Sequence, residues 1–126
     1  MSVVWKVRLA AQVELDFSDT VSWTIENFGE RQAETYAETL TLAIEALHDG
    51  PEQLGVKARE DIEPGIRSLH VARRGRRGSH FVVFREAQNQ GIDVLRQLHD
   101  SMDSRVRHQI AIFSDFGVSG RYESTT

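Results

Sequence analysis

Two histidines and two arginines in the second half of the sequence could together perform acid–base chemistry on a phosphodiester. An imidazole can transfer protons near neutral pH, and a guanidinium can stabilise the extra negative charge of a phosphorane. The four residues lie on three consecutive predicted strands: Arg67, His80, Arg96 and His99. Their convergence depends on the register of the strands. The alternative is that the histidines bond to backbone or carboxylate groups and that the arginines bridge acids.

The segment 73–78, which reads RRGRRG, is a candidate contact loop. Its composition is typical of a charged hairpin tip, which is either a solvated turn or a contact for acidic protein groups or DNA. The candidate partner-binding residues are the arginines of this loop, two strand arginines and one tryptophan: Arg67, Arg73, Arg74, Arg76, Arg77, Arg96 and Trp23. Trp23 falls off the apolar stripe of its predicted helix, and a ring that covers the flank of the helix pair is favoured over an exposed partner contact.

The chain offers few means of holding a metal or cofactor. It has no cysteine, and its five histidines show no paired ligand spacing on one element. We therefore expect no metal site and no cofactor, and thiolate chemistry is excluded. Charges interrupt the apolar run at the N-terminus, MSVVWKVR, so neither a signal peptide nor a membrane span is expected there, and the expected location is the cytoplasm.

The charge is divided unevenly along the 126 residues. Residues 1–65 hold five Lys and Arg against thirteen Asp and Glu, whereas residues 66–126 hold ten Arg against six acids. The net charge of −4 argues against a protein that coats nucleic acid non-specifically. An arginine-only basic half favours forked contacts to the carboxylates or phosphates of a specific partner.

The hydrophobic periodicity predicts a single α+β domain that would position these side chains. Val3–Leu9 is typical of a strand, and the apolar residues of Val13–Phe28 recur at helical spacing as one stripe. A second helix, Ala33–Leu47, follows Gly29 so closely that the two helices must form an antiparallel hairpin.

The second half of the chain predicts a three-stranded antiparallel meander, with the helix hairpin packed on one face of the sheet. Residues 51–65 are expected to form a connecting loop. The three strands are Ile66–Ala72, Ser79–Arg85 and Gly91–Leu98, with the middle one in the interior of the sheet. A short C-terminal helix is predicted from the spacing of Val106, Ile110 and Phe113, and residues 114–126 are expected to be irregular.

Three blocks of the predicted meander have distinctive sequences. Glu63–Leu69 reads EPGIRSL, His80–Arg85 reads HFVVFR and Gly91–Asp103 reads GIDVLRQLHDSMD. With the helix hairpin before them, they resemble the RelE/ParE superfamily of toxin–antitoxin toxins, and more closely its ParE branch. The resemblance covers about residues 4–103. It implies a toxin domain over 1–103, with 104–126 as a C-terminal extension of the same domain.

The resemblance implies a small cytosolic toxin that a co-encoded ParD-like antitoxin neutralises, in a heterotetramer of an antitoxin dimer and two toxins. ParE-branch toxins poison DNA gyrase, whereas RelE-branch toxins cut mRNA without a metal ion. Operator DNA would be contacted only through the antitoxin. A third alternative is a non-toxic relative that is retained for antitoxin binding and autoregulation.

The end of the last predicted strand favours gyrase over RNA. Nuclease-branch relatives commonly place an arginine and a tyrosine after the histidine there, but this chain continues from His99 with Asp100, Ser101, Met102 and Asp103. A carboxylate ~4 Å from a phosphate would repel it by about 4 kcal/mol at a surface-like dielectric. We therefore expect a gyrase poison without catalytic residues. In the nuclease alternative, the catalytic residues would be Arg67, His80, Arg96 and His99.

Overall fold

The computed structural model describes residues 4–107 and 120–123, and it confirms the α+β class with an N-terminal strand, a helix hairpin and an antiparallel meander. The elements are β1 (Lys6–Ala10), α1 (Ala11–Phe28), α2 (Glu30–Ala46), β2 (Val56–Ala58), β3 (Ile66–His70), β4 (His80–Ala87), β5 (Gly91–His99) and β6 (Gly120–Glu123). Short 3-10 turns follow α2 at Leu47–Asp49 and β5 at Asp100–Arg105.

The six strands form one sheet in the order β2-β3-β4-β5-β1-β6. Strand β1 runs parallel to β5, and all other neighbours are antiparallel. Strand β4 lies in the interior of the sheet, as its apolar run Phe81–Phe84 predicts, and these four residues are fully buried or nearly so. Because successive side chains of a strand point to opposite faces, this strand contributes apolar side chains to the core on each face of the sheet.

Each face of the sheet has its own core. The face under the helices contains side chains from the helix hairpin and the sheet: Val7, Ala10, Val13, Ile44, Leu47, Leu69, Val82, Phe84, Ile92 and Val94. The opposite face contains Ile62, Ile66, Phe81, Val83, Leu95, Leu98 and Val106. Val106 is fully buried there, so the start of the predicted C-terminal helix covers the open face of the sheet. Ile110 and Phe113, the rest of that prediction, lie outside the described residues.

Two strands were not expected from the sequence. Val56–Ala58 lies within the predicted loop 51–65 and pairs with β3, and Gly120–Glu123 lies within the segment expected to be irregular and pairs with β1. Both predictions are wrong at these positions, because strands of three and four residues are too short to show an alternating pattern.

The apolar stripe of α1 is also corrected by the structure. Val13 is buried, but Ile25 is 42% and Phe28 63% exposed. Residues spaced four apart drift by about 40° per step around a helix of 3.6 residues per turn, so a long stripe of this kind leaves the sheet. The face of α1 that stays buried beyond Val13 is polar, and it includes Asp16 and Thr24.

The hairpin of α1 and α2 turns at the single residue Gly29, as predicted. Its φ of 90° lies in a region that residues with a side chain seldom adopt, and its N–H donates to the carbonyl of Ile25. Because the link is so short, α2 returns antiparallel beside α1. The open end of the pair packs on the sheet, with Val13 and Ile44 in the core.

Candidate functional site

His80 is the first residue of β4, and it is held under the helix hairpin by Tyr36 of α2. The Tyr36 hydroxyl accepts the Ser79 N–H at 2.9 Å and lies 2.6 Å from His80 Nδ1. A phenol oxygen can donate its proton to Nδ1 or accept a second hydrogen bond from Nδ1–H, so Nδ1 is hydrogen-bonded to Tyr36 in either tautomer. The other ring nitrogen, Nε2, faces Thr20 Oγ1 at 3.5 Å.

The surroundings of His80 keep its ring neutral. Burial, followed by repulsion from His99 and His70, lowers the pKa of His80 from 6.5 to about 4, while Asp100 and Asp16 act in the opposite direction. Burial also raises the pKa of Tyr36. At neutral pH, His80 is consequently not a protonated acid, and its Nδ1 is engaged by Tyr36.

His99 lies directly opposite His80 in the register of β4 and β5. The two rings are perpendicular, with centroids 5.1 Å apart. His99 Nδ1 accepts the Ser101 N–H at 3.0 Å and so caps the 3-10 turn that follows β5. In neutral His99, the one nitrogen with a lone pair is thus already a hydrogen-bond acceptor within the fold.

The strand arginines do not join the two histidines. Arg96 forms a forked ion pair with Asp16 of α1, at 2.9 Å for both nitrogen–oxygen contacts, and Asp16 also accepts the Gln97 N–H. Arg67 donates to the carbonyl of Pro51 at 3.0 Å. Since Arg96 pairs with Val83 and Arg67 with Phe84, the two arginines are displaced along the sheet from His80 by roughly 10 Å or more.

An open groove of about 1190 Å³ separates the helix hairpin from the loop between β3 and β4. His80 and His99 lie in it, and so do Trp23 and Phe28 of α1. Trp23 is 55% exposed, and its ring meets that of Phe28 edge-on with centroids 5.7 Å apart. Trp23 therefore does not cover the flank of the hairpin, the interpretation favoured by its sequence position. It forms part of a solvent-accessible aromatic wall.

The loop between β3 and β4 contains two anchored and two available arginines. Arg76 donates to Thr39 Oγ1 at 2.8 Å and forms an ion pair with Glu38 at 2.9 Å, and Arg73 donates to Gln53 at 3.2 Å. The exposed side chains of Arg74 and Arg77 have neither a hydrogen bond nor an ion pair with any described residue. Arg76 and Arg77 lie on the groove.

Several residues of this site were not singled out in the sequence. The sequence pattern places Tyr36 only on the apolar face of α2 and Phe28 only at the end of the α1 stripe. One feature of the sequence does indicate a buried polar contact. Asp16 is an acid three residues after Val13, on the predicted inner face of the helix. A buried carboxylate of this kind requires a partner, which the structure identifies as Arg96.

The described part of the chain, 4–107 and 120–123, has no group of three or more His, Cys, Asp or Glu side chains placed to hold a metal ion. In the same residues, neither helix has the length and apolar character needed to cross a bilayer.

The lowered pKa of His80 predicts a pH dependence of stability. His80 binds a proton near pH 6.5 in the unfolded chain but only near pH 4 in the folded chain. The free energy of unfolding therefore decreases as the pH falls through this interval. We expect a loss of about 1–2 kcal/mol after allowance for solvent screening. Urea unfolding at about pH 7.5 and about pH 5 measures it, with His80→Gln as the non-titrating reference. Equal losses in both proteins would contradict the prediction.

Both the sequence and the fold of this chain are similar to those of known proteins. Residues 7–104 match the sequence family described as the ParE toxin of the type II toxin–antitoxin system parDE. Toxin ParE1 of Mycobacterium tuberculosis, present in two strains, is 34% identical over 103 residues, 82% of this chain and 95% of that protein. A solved structure described as a chromosomal ParDE TA system from P. aeruginosa has a TM-score of 0.62 and 16% identity, covering 79% of this chain and 98% of that one.

Proposed function

Because this chain belongs to the ParE toxin family of type II toxin–antitoxin systems, we propose that it poisons DNA gyrase by binding and breaks no bond itself. A ParD-like antitoxin neutralises it, with two toxins on one antitoxin dimer, in the cytoplasm. Operator DNA is contacted only through the antitoxin.

One observation carries the non-catalytic part of this proposal. Nδ1 of each imidazole, in His80 and in His99, is already hydrogen-bonded within the fold. A metal-independent ribonuclease needs a free general base and cationic groups around the phosphate. The strand arginines that could supply the charge are bonded to Asp16 and to Pro51.

The groove supports a protein as the target. Tryptophan and arginine are enriched among the residues that contribute most to protein–protein affinity, and here Trp23 and Arg77 line the groove from opposite sides. The volume of about 1190 Å³ exceeds that of a usual small-molecule pocket and suits a helical or extended segment. Of the candidate partner-binding residues, Trp23, Arg74 and Arg77 have the exposure that a contact requires.

RNA cleavage is the second candidate, and one observation favours it. Tyr36, His80 and His99 line the same groove as Arg77, so a phosphate placed there would meet both imidazoles and one guanidinium. Nδ1 of His99 would have to be released from the Ser101 N–H before it could act as a base. The two candidates therefore differ in whether His80 is required for the activity.

Parallel assays of the purified chain test the proposal. With gyrase, ATP and supercoiled plasmid, we expect cleaved DNA to accumulate in proportion to the toxin. With translating ribosomes and a defined mRNA, we expect no cleavage above the background. The His80→Ala variant serves as the control, and its fold is verified by circular dichroism. Cleavage of mRNA by the parent chain that His80→Ala abolishes would establish the nuclease instead.

A further inference from the structure

The outer edge of β1 is covered by the protein's own strand β6. Four residue pairs join them in antiparallel register, from Val7 opposite Glu123 to Ala10 opposite Gly120. The match to the ParE family ends at residue 104, so β6 lies beyond the part of the chain that the family shares. In a chain made only of the shared part, β1 would be an edge strand.

An uncovered β1 would be the better of the two sheet edges for a partner strand. The opposite edge is β2, which has three residues, whereas β1 has five. The unpaired N–H and C=O groups of an edge strand accept an extended segment of another chain, and the main-chain hydrogen bonds supply much of the affinity. The seated β6 demonstrates that the β1 edge accepts an antiparallel strand.

We propose that β6 occupies the place at which an extended segment of the antitoxin pairs with β1, so that the two strands exclude each other. This inference rests on the proposed function, in which a ParD-like antitoxin is the neutralising partner. A strand with four paired residues is short enough to be displaced. Only molecules with a free β1 edge can bind the antitoxin. The apparent affinity is therefore the intrinsic affinity multiplied by the fraction of molecules in which β6 is undocked.

An engineered disulfide makes the competition measurable. The chain has no cysteine, so Arg8→Cys combined with Tyr122→Cys adds only the intended pair. These residues are opposite each other in the β1–β6 register, and cross-strand Cα distances of about 4.5–5.5 Å suit a disulfide. Oxidation locks β6 in place and reduction releases it. Each molecule is therefore its own control.

A second pair of variants weakens β6 without a crosslink. Arg121→Pro combined with Tyr122→Pro removes two neighbouring amides, one of which must point towards β1, since alternate residues of a strand bond to the same side. The matched control is Arg121→Ala with Tyr122→Ala, which keeps both amides.

Binding is measured by calorimetry with the purified ParD-like antitoxin encoded beside this chain. We expect the oxidised cysteine variant to bind at least ~10-fold more weakly than its reduced form, and the double-proline variant to bind several-fold more tightly than the double-alanine control. Equal affinity of the oxidised and reduced forms overturns the inference and leaves the proposed function intact, since β6 is then only a guard against edge-to-edge association. Absence of binding in every form refutes the proposed antitoxin, and the inference with it.

Discussion

The Asp16→Asn variant should lose about 3–5 kcal/mol of unfolding free energy. Asp16 is 8% exposed, and its two oxygens accept both arms of Arg96 and the Gln97 N–H. An amide removes the charge that Asp16 presents to the Arg96 guanidinium, whose side chain is 14% exposed. The cost is that of removing one partner from a buried ion pair, and it exceeds the net contribution of the intact pair.

Urea unfolding followed by circular dichroism measures this loss, and the same helix offers a matched control. Asp19→Asn changes an exposed carboxylate one turn away and should alter stability by no more than about 0.5 kcal/mol. A loss below about 1 kcal/mol for Asp16→Asn would show that water solvates Arg96 well enough to replace the carboxylate.

A double substitution separates a structural role of the pair from a role in binding. Asp16→Leu with Arg96→Met replaces both charges by apolar groups of similar volume, which is often neutral or stabilising for a buried pair. If the double variant is stable and still poisons gyrase, Arg96 acts only within the fold. Loss of poisoning with retained stability would give Arg96 the contact role that its residue type suggests.

The sequence predicted the layers of this protein better than its site. The three meander strands and the two helices follow from apolar periodicity, since burying those faces is what stabilises them. The position of His80 opposite His99 depends on the β4–β5 register, which shifts between Val83 and Phe84. No pattern in the sequence sets such an irregularity, so the convergence of candidate residues could not be predicted.

Two further features depend on the assembled fold in the same way. Arg96 could have served a phosphate or a carboxylate, and only the packing of α1 on β5 brings Asp16 to it. Trp23 could have been covered or exposed, and its exposure results from the drift of the α1 stripe away from the sheet. Residue type therefore limits the possible chemistry, but tertiary contacts decide which side chains remain available.

Under the proposed function, Trp23→Ala should weaken the inhibition of gyrase by about 30-fold or more, equivalent to roughly 2 kcal/mol of binding free energy. The ring is 55% exposed in the free protein and lies at the groove beside Phe28. A partner that docks in the groove would bury it, and a large amphipathic ring buried at the centre of an interface contributes more than most of its neighbours. The effect is measured as the toxin concentration that half-inhibits supercoiling.

The same substitution should leave the unfolding free energy within about 0.5 kcal/mol of the parent, because little of the Trp23 ring is packed against the core. Leu54→Ala is the control, since Leu54 is 94% exposed and does not line the groove. Normal gyrase inhibition by Trp23→Ala would exclude the groove as the gyrase contact. If antitoxin binding were also unchanged, the aromatic wall would have no role in either complex, and the sheet edges would remain as the recognition surface of the toxin.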